Sequence, residues 1–165
     1  MAKKSDFHKV IIGRAESINF VDAQINDVPA KVDTGAYRNA IHASNIRVED
    51  GVLVFDLFSN HPLCGSLGHE ISTQDFEIVG VRNSFGHRED RYEIKLKVKV
   101  GPKIFTTAFT LADRSKMIYP ILLGRKLLNG RFLVDTEKAG VDRAKLKKDY
   151  AIAFPEDEED GRDEK

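Results

Sequence analysis

A chain of 165 residues can bury one sizeable core and reads as a single domain. Lys and Arg together number 26, as do Asp and Glu, so no net positive field exists to draw in nucleic acid or a membrane surface. The only cysteine, Cys64, excludes an internal disulfide and a multi-thiolate zinc site, and no apolar run reaches the length of a membrane span; with no signal-peptide core after Met1-Ala2-Lys3-Lys4-Ser5-Asp6, a soluble cytoplasmic protein is expected.

Residues 1–7 read as a flexible N-terminus, 8–154 as the folded domain and 155–165, which carry Glu156-Asp157-Glu158-Glu159-Asp160, as a disordered acidic tail. Within the domain, Val10-Ile11-Ile12 and then Ile18, Phe20 and Val21 give a β-rich start. Ala23-Gln24-Ile25, a turn at Asn26-Asp27 and Val28-Pro29-Ala30-Lys31-Val32 predict a hairpin that delivers Asp33 at its far end. Asn39-Ala40-Ile41-His42-Ala43 fits either a short strand or a turn. Asp50-Gly51 between Val48-Glu49 and Val52-Leu53-Val54-Phe55 is the strongest local hairpin signal.

Small, polar and turn-forming residues over 59–69 predict a loop, and residues 71–82 resume strand character. Asn83-Ser84-Phe85-Gly86-His87 reads as a hairpin tip. Residues 92–100 then alternate apolar and charged, the pattern of a strand with one buried and one wet face, and Gly101-Pro102 turns the chain into a returning strand over 104–111. A one- or two-turn helix is predicted over 125–128, stopped by Asn129-Gly130, and a peripheral helix over 139–150. The expected fold class is all-β.

Two apolar runs carry the chemistry. Ala30-Lys31-Val32-Asp33-Thr34-Gly35-Ala36 ends a strand in an acid, a hydroxyl and a glycine; a carboxylate there is expensive to ionise, and the glycine permits a tight turn close to a ligand. Pro120-Ile121-Leu122-Leu123-Gly124-Arg125 is the second run, again broken by glycine. Val134-Asp135-Thr136 echoes the first but has Glu137 in place of the glycine, so it is not a second loop of this kind.

Together with Asn39-Ala40-Ile41-His42-Ala43, Val81-Arg82-Asn83-Ser84-Phe85-Gly86, Arg91-Tyr92, Phe109-Thr110-Leu111-Ala112-Asp113-Arg114, Met117 and Phe132-Leu133-Val134-Asp135, these blocks stand in the order of one bacterial family. The chain resembles the retropepsin-like group labelled ATP-dependent zinc proteases, which includes a small protein associated with a ribosomal-protein-modifying glutamate ligase. The resemblance implies a single-lobe acid-protease closed β-barrel with one short helix after Leu-Leu-Gly-Arg. It also implies an aspartic endopeptidase in which Asp33, Thr34 and Gly35 from two chains form one site in a homodimer. Aspartic proteolysis needs two carboxylates too close to ionise together, and one Asp-Thr-Gly per chain supplies half. Ala36, Arg82, Arg91, Arg114, Gly124 and Arg125 are the expected substrate-binding residues, and the substrate is a peptide or protein, with glutamate-rich or glutamylated segments suggested by the ligase association.

Tyr37-Arg38-Asn39 departs from the family, whose members carry a basic residue, threonine and serine there. Retroviral enzymes place an acid at the position of Tyr37 to pair with the arginine corresponding to Arg125, so Arg125 is expected to find Asp113 or Asp135 instead. His8, His42, His61, His69 and His87 form no His-Glu-x-x-His motif, and no Gly-x-x-x-x-Gly-Lys loop occurs, so neither zinc nor nucleotide is expected as cofactor. The loops at 59–69 and 83–91 are the two candidates for a flap. The competing function is a non-catalytic binding module that regulates an ATP-grasp glutamate ligase.

Overall fold

A computed structural model describes residues 8–83 and 85–153; the expectations for 1–7 and for the acidic tail lie outside the described residues. The chain begins with β1 (Val10–Ile12), β2 (Ala15–Phe20), β3 (Ile25–Val32), β4 (Asn39–Glu49) and β5 (Val52–Leu57). It continues through β6 (His69–Thr73), β7 (Phe76–Arg82), β8 (Arg88–Val100), β9 (Lys103–Ala112) and β10 (Ile121–Leu123). Helix α1 (Arg125–Leu128), β11 (Phe132–Val134) and α2 (Arg143–Ala153) complete it.

Strands β10, β3, β2, β8, β9 and β4 neighbour one another in that order, and a further pairing of β10 with β4 closes them into a six-stranded barrel of single-lobe retropepsin type. Its centre is aromatic and aliphatic: Phe20 lies 5.5 Å from Phe58 and 6.0 Å from Phe109, ring centre to ring centre, and Ile18, Ile41, Leu53, Leu57, Ile121 and Leu123 are fully buried around them. Clusters of this kind supply most of the drive to fold.

Strand β10 is the element that positions the site. It runs parallel to β3, with Ile121 opposite Ala30 and Leu123 opposite Val32, and antiparallel to β4, with Ile121 opposite Ile41. The chain therefore leaves β3 at Asp33, loops, and re-enters the barrel as β4 with β10 wedged between the two. Asn39-Ala40-Ile41-His42-Ala43, for which the sequence left two choices, is the opening of this long fourth strand.

The Asp50-Gly51 hairpin forms as expected, both residues having positive φ (50° and 77°), as a two-residue turn between twisted strands requires. The first hairpin differs. It reverses at residues 21–24, and Asn26 and Asp27 lie within β3. Asp27 keeps its positive φ of 59°, and its N–H is taken by the Asn19 side chain at 2.8 Å, where Asn26 and Asp27 of β3 stand against Asn19 alone on β2, between the Ile18–Val28 and Phe20–Ile25 pairs. The run over 71–82 is split into β6 and β7, and the peripheral helix is shifted to Arg143–Ala153, anchored where Tyr150 donates its hydroxyl to the Ser115 carbonyl at 2.9 Å.

The two flap candidates behave differently. Residues 59–69 are tied down by a 3-10 turn at Gly65–Leu67, by buried Cys64 and by buried His61. Among the described residues strand β7 pairs with β8 alone, and in this ribbon Ile78 is 63% and Phe85 at the tip 86% exposed.

Candidate active site

Asp33 stands where β3 gives way to a turn. Its N–H donates to the Leu123 carbonyl at 2.9 Å, its carbonyl accepts the Ala36 N–H at 3.2 Å, and its Oδ1 accepts the Gly35 N–H at 2.9 Å. A Cβ on Gly35 would come within 3.2 Å of that same Oδ1. Among the described residues, Oδ2 accepts no hydrogen bond. The Thr34 side chain is exposed, and its hydroxyl has no partner within the chain among the described residues.

The turn and the Leu-Leu-Gly-Arg element are a single unit. A helix start leaves backbone N–H groups without intrahelical partners; here Arg125 donates to the Ala36 carbonyl and Lys126 to the Tyr37 carbonyl, both at 2.9 Å. Gly124 allows the approach, since a Cβ there would sit 2.6 Å from the Arg38 carbonyl oxygen and 2.9 Å from that of Ala36. Its N–H donates to Asn39 Oδ1 at 2.8 Å, and Asn39 Nδ2 donates to the Ala108 carbonyl at 2.9 Å, so one fully buried amide ties three segments together.

Among the described residues, Arg125 finds no acid. Its guanidinium donates to the Thr34 carbonyl at 3.1 Å and lies 5.9 Å from the centre of the Tyr37 ring, whose face also receives Arg38 at 5.7 Å. The expected partners are engaged elsewhere: Asp113 accepts from Ser115, and Asp135 accepts the Glu137 N–H and lies 4.0 Å from Lys138. Tyr37 thus replaces an ion pair with two cation–π contacts, using the negative ring face in place of a carboxylate. The acid that does serve this loop is Glu93, on β8 and only 6% exposed, which binds Arg38 at 2.7 Å and Lys126 at 3.0 Å. Burying a carboxylate requires such paired donors.

Asp33 faces a groove of about 760 Å³ whose other charged lining residues, among the described residues, are all cationic: Arg14, Lys31, Arg114, Lys116 and Arg143. Arg114, half-buried, donates Nε to the Tyr119 carbonyl at 3.0 Å; burial and the charge of Arg91 bring its guanidinium down to about 10, with Asp33 pulling the other way. Arg91 lines a second groove of about 680 Å³ on the other side of the 113–115 segment. Ala36 contributes its carbonyl and Gly124 its lack of a side chain. Arg82, exposed and opposite Arg88 in the ribbon, enters neither groove, and Arg125 braces the turn rather than lining the groove. Of the expected substrate-binding arginines, only Arg114 therefore shares the Asp33 groove. Arg14, Lys31, Lys116 and Arg143 were not singled out from sequence: they are ordinary surface cations there, and only the fold collects them.

The two buried histidines, His42 and His61, do not suit zinc. His42 donates Nε2–H to the Ser59 carbonyl and accepts the Arg114 N–H on Nδ1, both at 2.9 Å. His61, its ring centre 5.2 Å away, donates Nε2–H to the Met117 carbonyl at 2.9 Å and accepts the Leu63 N–H on Nδ1 at 3.1 Å. No lone pair remains for a metal on either ring. Burial holds the Cys64 thiol at about 12, protonated where a ligand must be thiolate, and among the described residues no three His, Cys, Asp or Glu side chains gather as a metal site.

A family model described as "Retropepsin-like aspartic endopeptidase RimB" matches residues 11–145. A protein named "Probable alpha-L-glutamate ligase" from Parasynechococcus marenigrum is 34% identical over 135 residues, covering 78% of this chain and 28% of that protein. Its namesake from Desulfotalea psychrophila is 33% identical over 136 residues, covering 79% and 29%. The chain thus spans less than a third of the length of these curated relatives. Among solved structures, a Legionella pneumophila protein of unknown function superposes with a TM-score of 0.60 at 27% identity, covering 79% of this chain and 95% of that one. With the closed barrel, the wedged tenth strand and the Asp-Thr-Gly turn all inside the matched span, the chain belongs to the RimB-like family of retropepsin-like proteins.

Proposed function

We propose that the protein is an aspartic peptidase that works as a homodimer on acidic protein segments, such as glutamate-rich or glutamylated chains. The observation that carries this reading is the groove in which, among the described residues, Asp33 is the single acid among five cations. A carboxylate surrounded by positive charge and fixed by its own turn can serve as an acid–base group, and the surrounding charge selects a substrate of opposite sign.

In the reaction, Asp33 of each subunit approaches the two-fold axis and the pair shares one proton, since two adjacent carboxylates cannot both ionise. The ionised member takes a proton from water as the water oxygen attacks the scissile carbonyl carbon, and the protonated member hydrogen-bonds the carbonyl oxygen as charge develops on it. Collapse of the tetrahedral intermediate breaks the C–N bond, and a proton passes to the leaving amine. The Gly35 N–H, already bonded to Oδ1, holds the carboxylate in its plane. The exposed β7–β8 ribbon is the segment free to cover the groove and exclude water.

The test is cleavage of a glutamate-rich peptide by purified protein. Asp33→Asn should lower turnover roughly a thousandfold while leaving the melting temperature unchanged, because a neutral amide cannot accept the proton of water. Equal turnover by the variant removes the peptidase reading.

The second reading, a non-catalytic module that regulates an ATP-grasp glutamate ligase, is favoured by the ligase names of relatives of which this chain matches under a third. It predicts that Asp33→Asn protein still alters the rate of such a ligase, with no peptide hydrolysed by either form.

A further inference from the structure

Helix α2 touches the Asp33 groove near both of its ends. Arg143, its first residue, lines the groove. Two turns further on, buried Tyr150 donates its hydroxyl to the Ser115 carbonyl, and the residues on either side of Ser115, Arg114 and Lys116, line the same groove. The helix is thus held beside the groove as far as its last turn, and the chain that follows Ala153 departs from there.

That chain is acidic. Glu156-Asp157-Glu158-Glu159-Asp160 is an unbroken block of carboxylates. In the groove, Arg14, Lys31, Lys116 and Arg143 are exposed, and among the described residues neither they nor Arg114 has a carboxylate at ion-pair distance. Cations gathered in one cleft draw a chain of opposite sign. Length permits the contact. An extended chain spans about 3.3–3.6 Å per residue, so the acids at 156–160 have a reach of about 10 to 25 Å from Ala153. Retracing α2 from Ala153 to Arg143 takes only about 15 Å at about 1.5 Å per residue. The block can therefore span from Arg114 and Lys116, beside Tyr150, to Arg143 at the start of the helix.

We propose that the acidic block at 156–160 occupies the cationic Asp33 groove of its own chain and competes there with acidic substrates. The inference rests on the proposed reading for the groove's taste for acidic chains, and it is independent of whether the groove hydrolyses them. Tethering sets the strength of the competition: a short linker presents the block at an effective concentration on the order of millimolar, whatever the protein concentration.

The experiment compares two full-length proteins, both Asp33→Asn so that the probe is not consumed. One keeps the acidic block; in the other it is neutralised by Glu156→Gln, Asp157→Asn, Glu158→Gln, Glu159→Gln and Asp160→Asn. The probe is a fluorescent peptide of residues 154–160. The neutralised protein should bind it, and the protein with its own block should bind it about tenfold more weakly, the ratio expected when about 1 mM of tethered competitor meets a site of about 0.1 mM affinity. Lys116→Glu with Arg143→Glu, added to the neutralised protein, should weaken binding by about tenfold or more, and the milder Lys116→Gln with Arg143→Gln by a smaller factor, an order by charge that a folding defect would not produce. Equal affinity of the two proteins, absence of binding to the neutralised one, or binding that survives the charge reversal each overturns the inference. Cleavage by proteins that retain Asp33 separates it from the peptidase reading. A glutamate-rich peptide hydrolysed with the same KM with and without the block overturns the competition and leaves the peptidase standing. Hydrolysis by neither form, with the tenfold difference in probe binding intact, removes the peptidase and supports the competition.

Discussion

Gly124 shows how little freedom the turn has at the scale of one residue. A methyl group there would meet two backbone carbonyl oxygens, those of Arg38 and Ala36, and backbone cannot swing aside as a side chain can. Gly124→Ala should therefore destabilise the protein by about 1–3 kcal/mol, the usual cost of forcing atoms into a packed site, read as a lowered urea midpoint. Because the carbonyls that must retreat belong to the Asp33 loop, peptide cleavage should fall further than the lost stability explains. A variant as stable as wild type would show that the loop tolerates a wider separation than its hydrogen bonds to Arg125 and Lys126 imply. Sequence made Asp33, Gly35 and Gly124 legible because each is part of a short contiguous motif. Asn39 and Glu93 were not, since their partners lie 85 and 55 residues away and an isolated Asn or Glu in a strand pattern carries no sign of what it will meet.

Among elements, strands with clear alternation and turns with a forced positive φ were readable, whereas Asn26-Asp27 was not. The residues that favour a positive φ serve a strand irregularity as well as a turn, and only the Asn19 side chain across the hairpin decides between them. The loops beside the barrel hold a further element-scale device. His42 and His61 join residues 58–63 to residues 114–117 by hydrogen bonds to the backbone, and the two accepted at Nδ1, from the Arg114 N–H on His42 and the Leu63 N–H on His61, exist only while the rings are neutral. Burial, the largest cause, lowers both; His61 falls to about 4, with the neighbouring His42 adding to the effect, while its bond to the Met117 carbonyl opposes it. A histidine whose folded pKa lies below its unfolded value of about 6.5 gives its full stabilisation above that pH and loses it as pH falls towards the folded value. Between pH 7 and 4.5, His61 should thus cost the fold roughly 2 kcal/mol once solvent screening is allowed for, measured by denaturant titration. His61→Gln, which donates and accepts without titrating, should flatten that dependence; an unchanged slope would place the acid sensitivity in other groups.

At the scale of the whole molecule, a chain with zero formal charge concentrates five cations and one acid in a single groove, so its neutrality comes from sorting charge rather than lacking it. That sorting was invisible in the composition, because Arg14 and Arg143 reach the groove from opposite ends of the domain and only closure of the barrel brings them to Asp33. The same closure leaves one Asp-Thr-Gly turn per barrel, which makes the proposed chemistry a property of two molecules. Subunit mixing tests this directly. If each site needs an Asp33 from both chains and subunits exchange freely, an equal mixture of wild type and Asp33→Asn gives homodimers and heterodimers in random proportion, and activity should drop to about one quarter of that of wild type at the same total concentration. A barrel that hydrolyses peptides alone would retain about one half, because each active chain would ignore its inert neighbour. The ratio is independent of the absolute rate and of the substrate chosen, and it should hold at every concentration well above the dimer dissociation constant, with wild-type specific activity falling away on dilution below it.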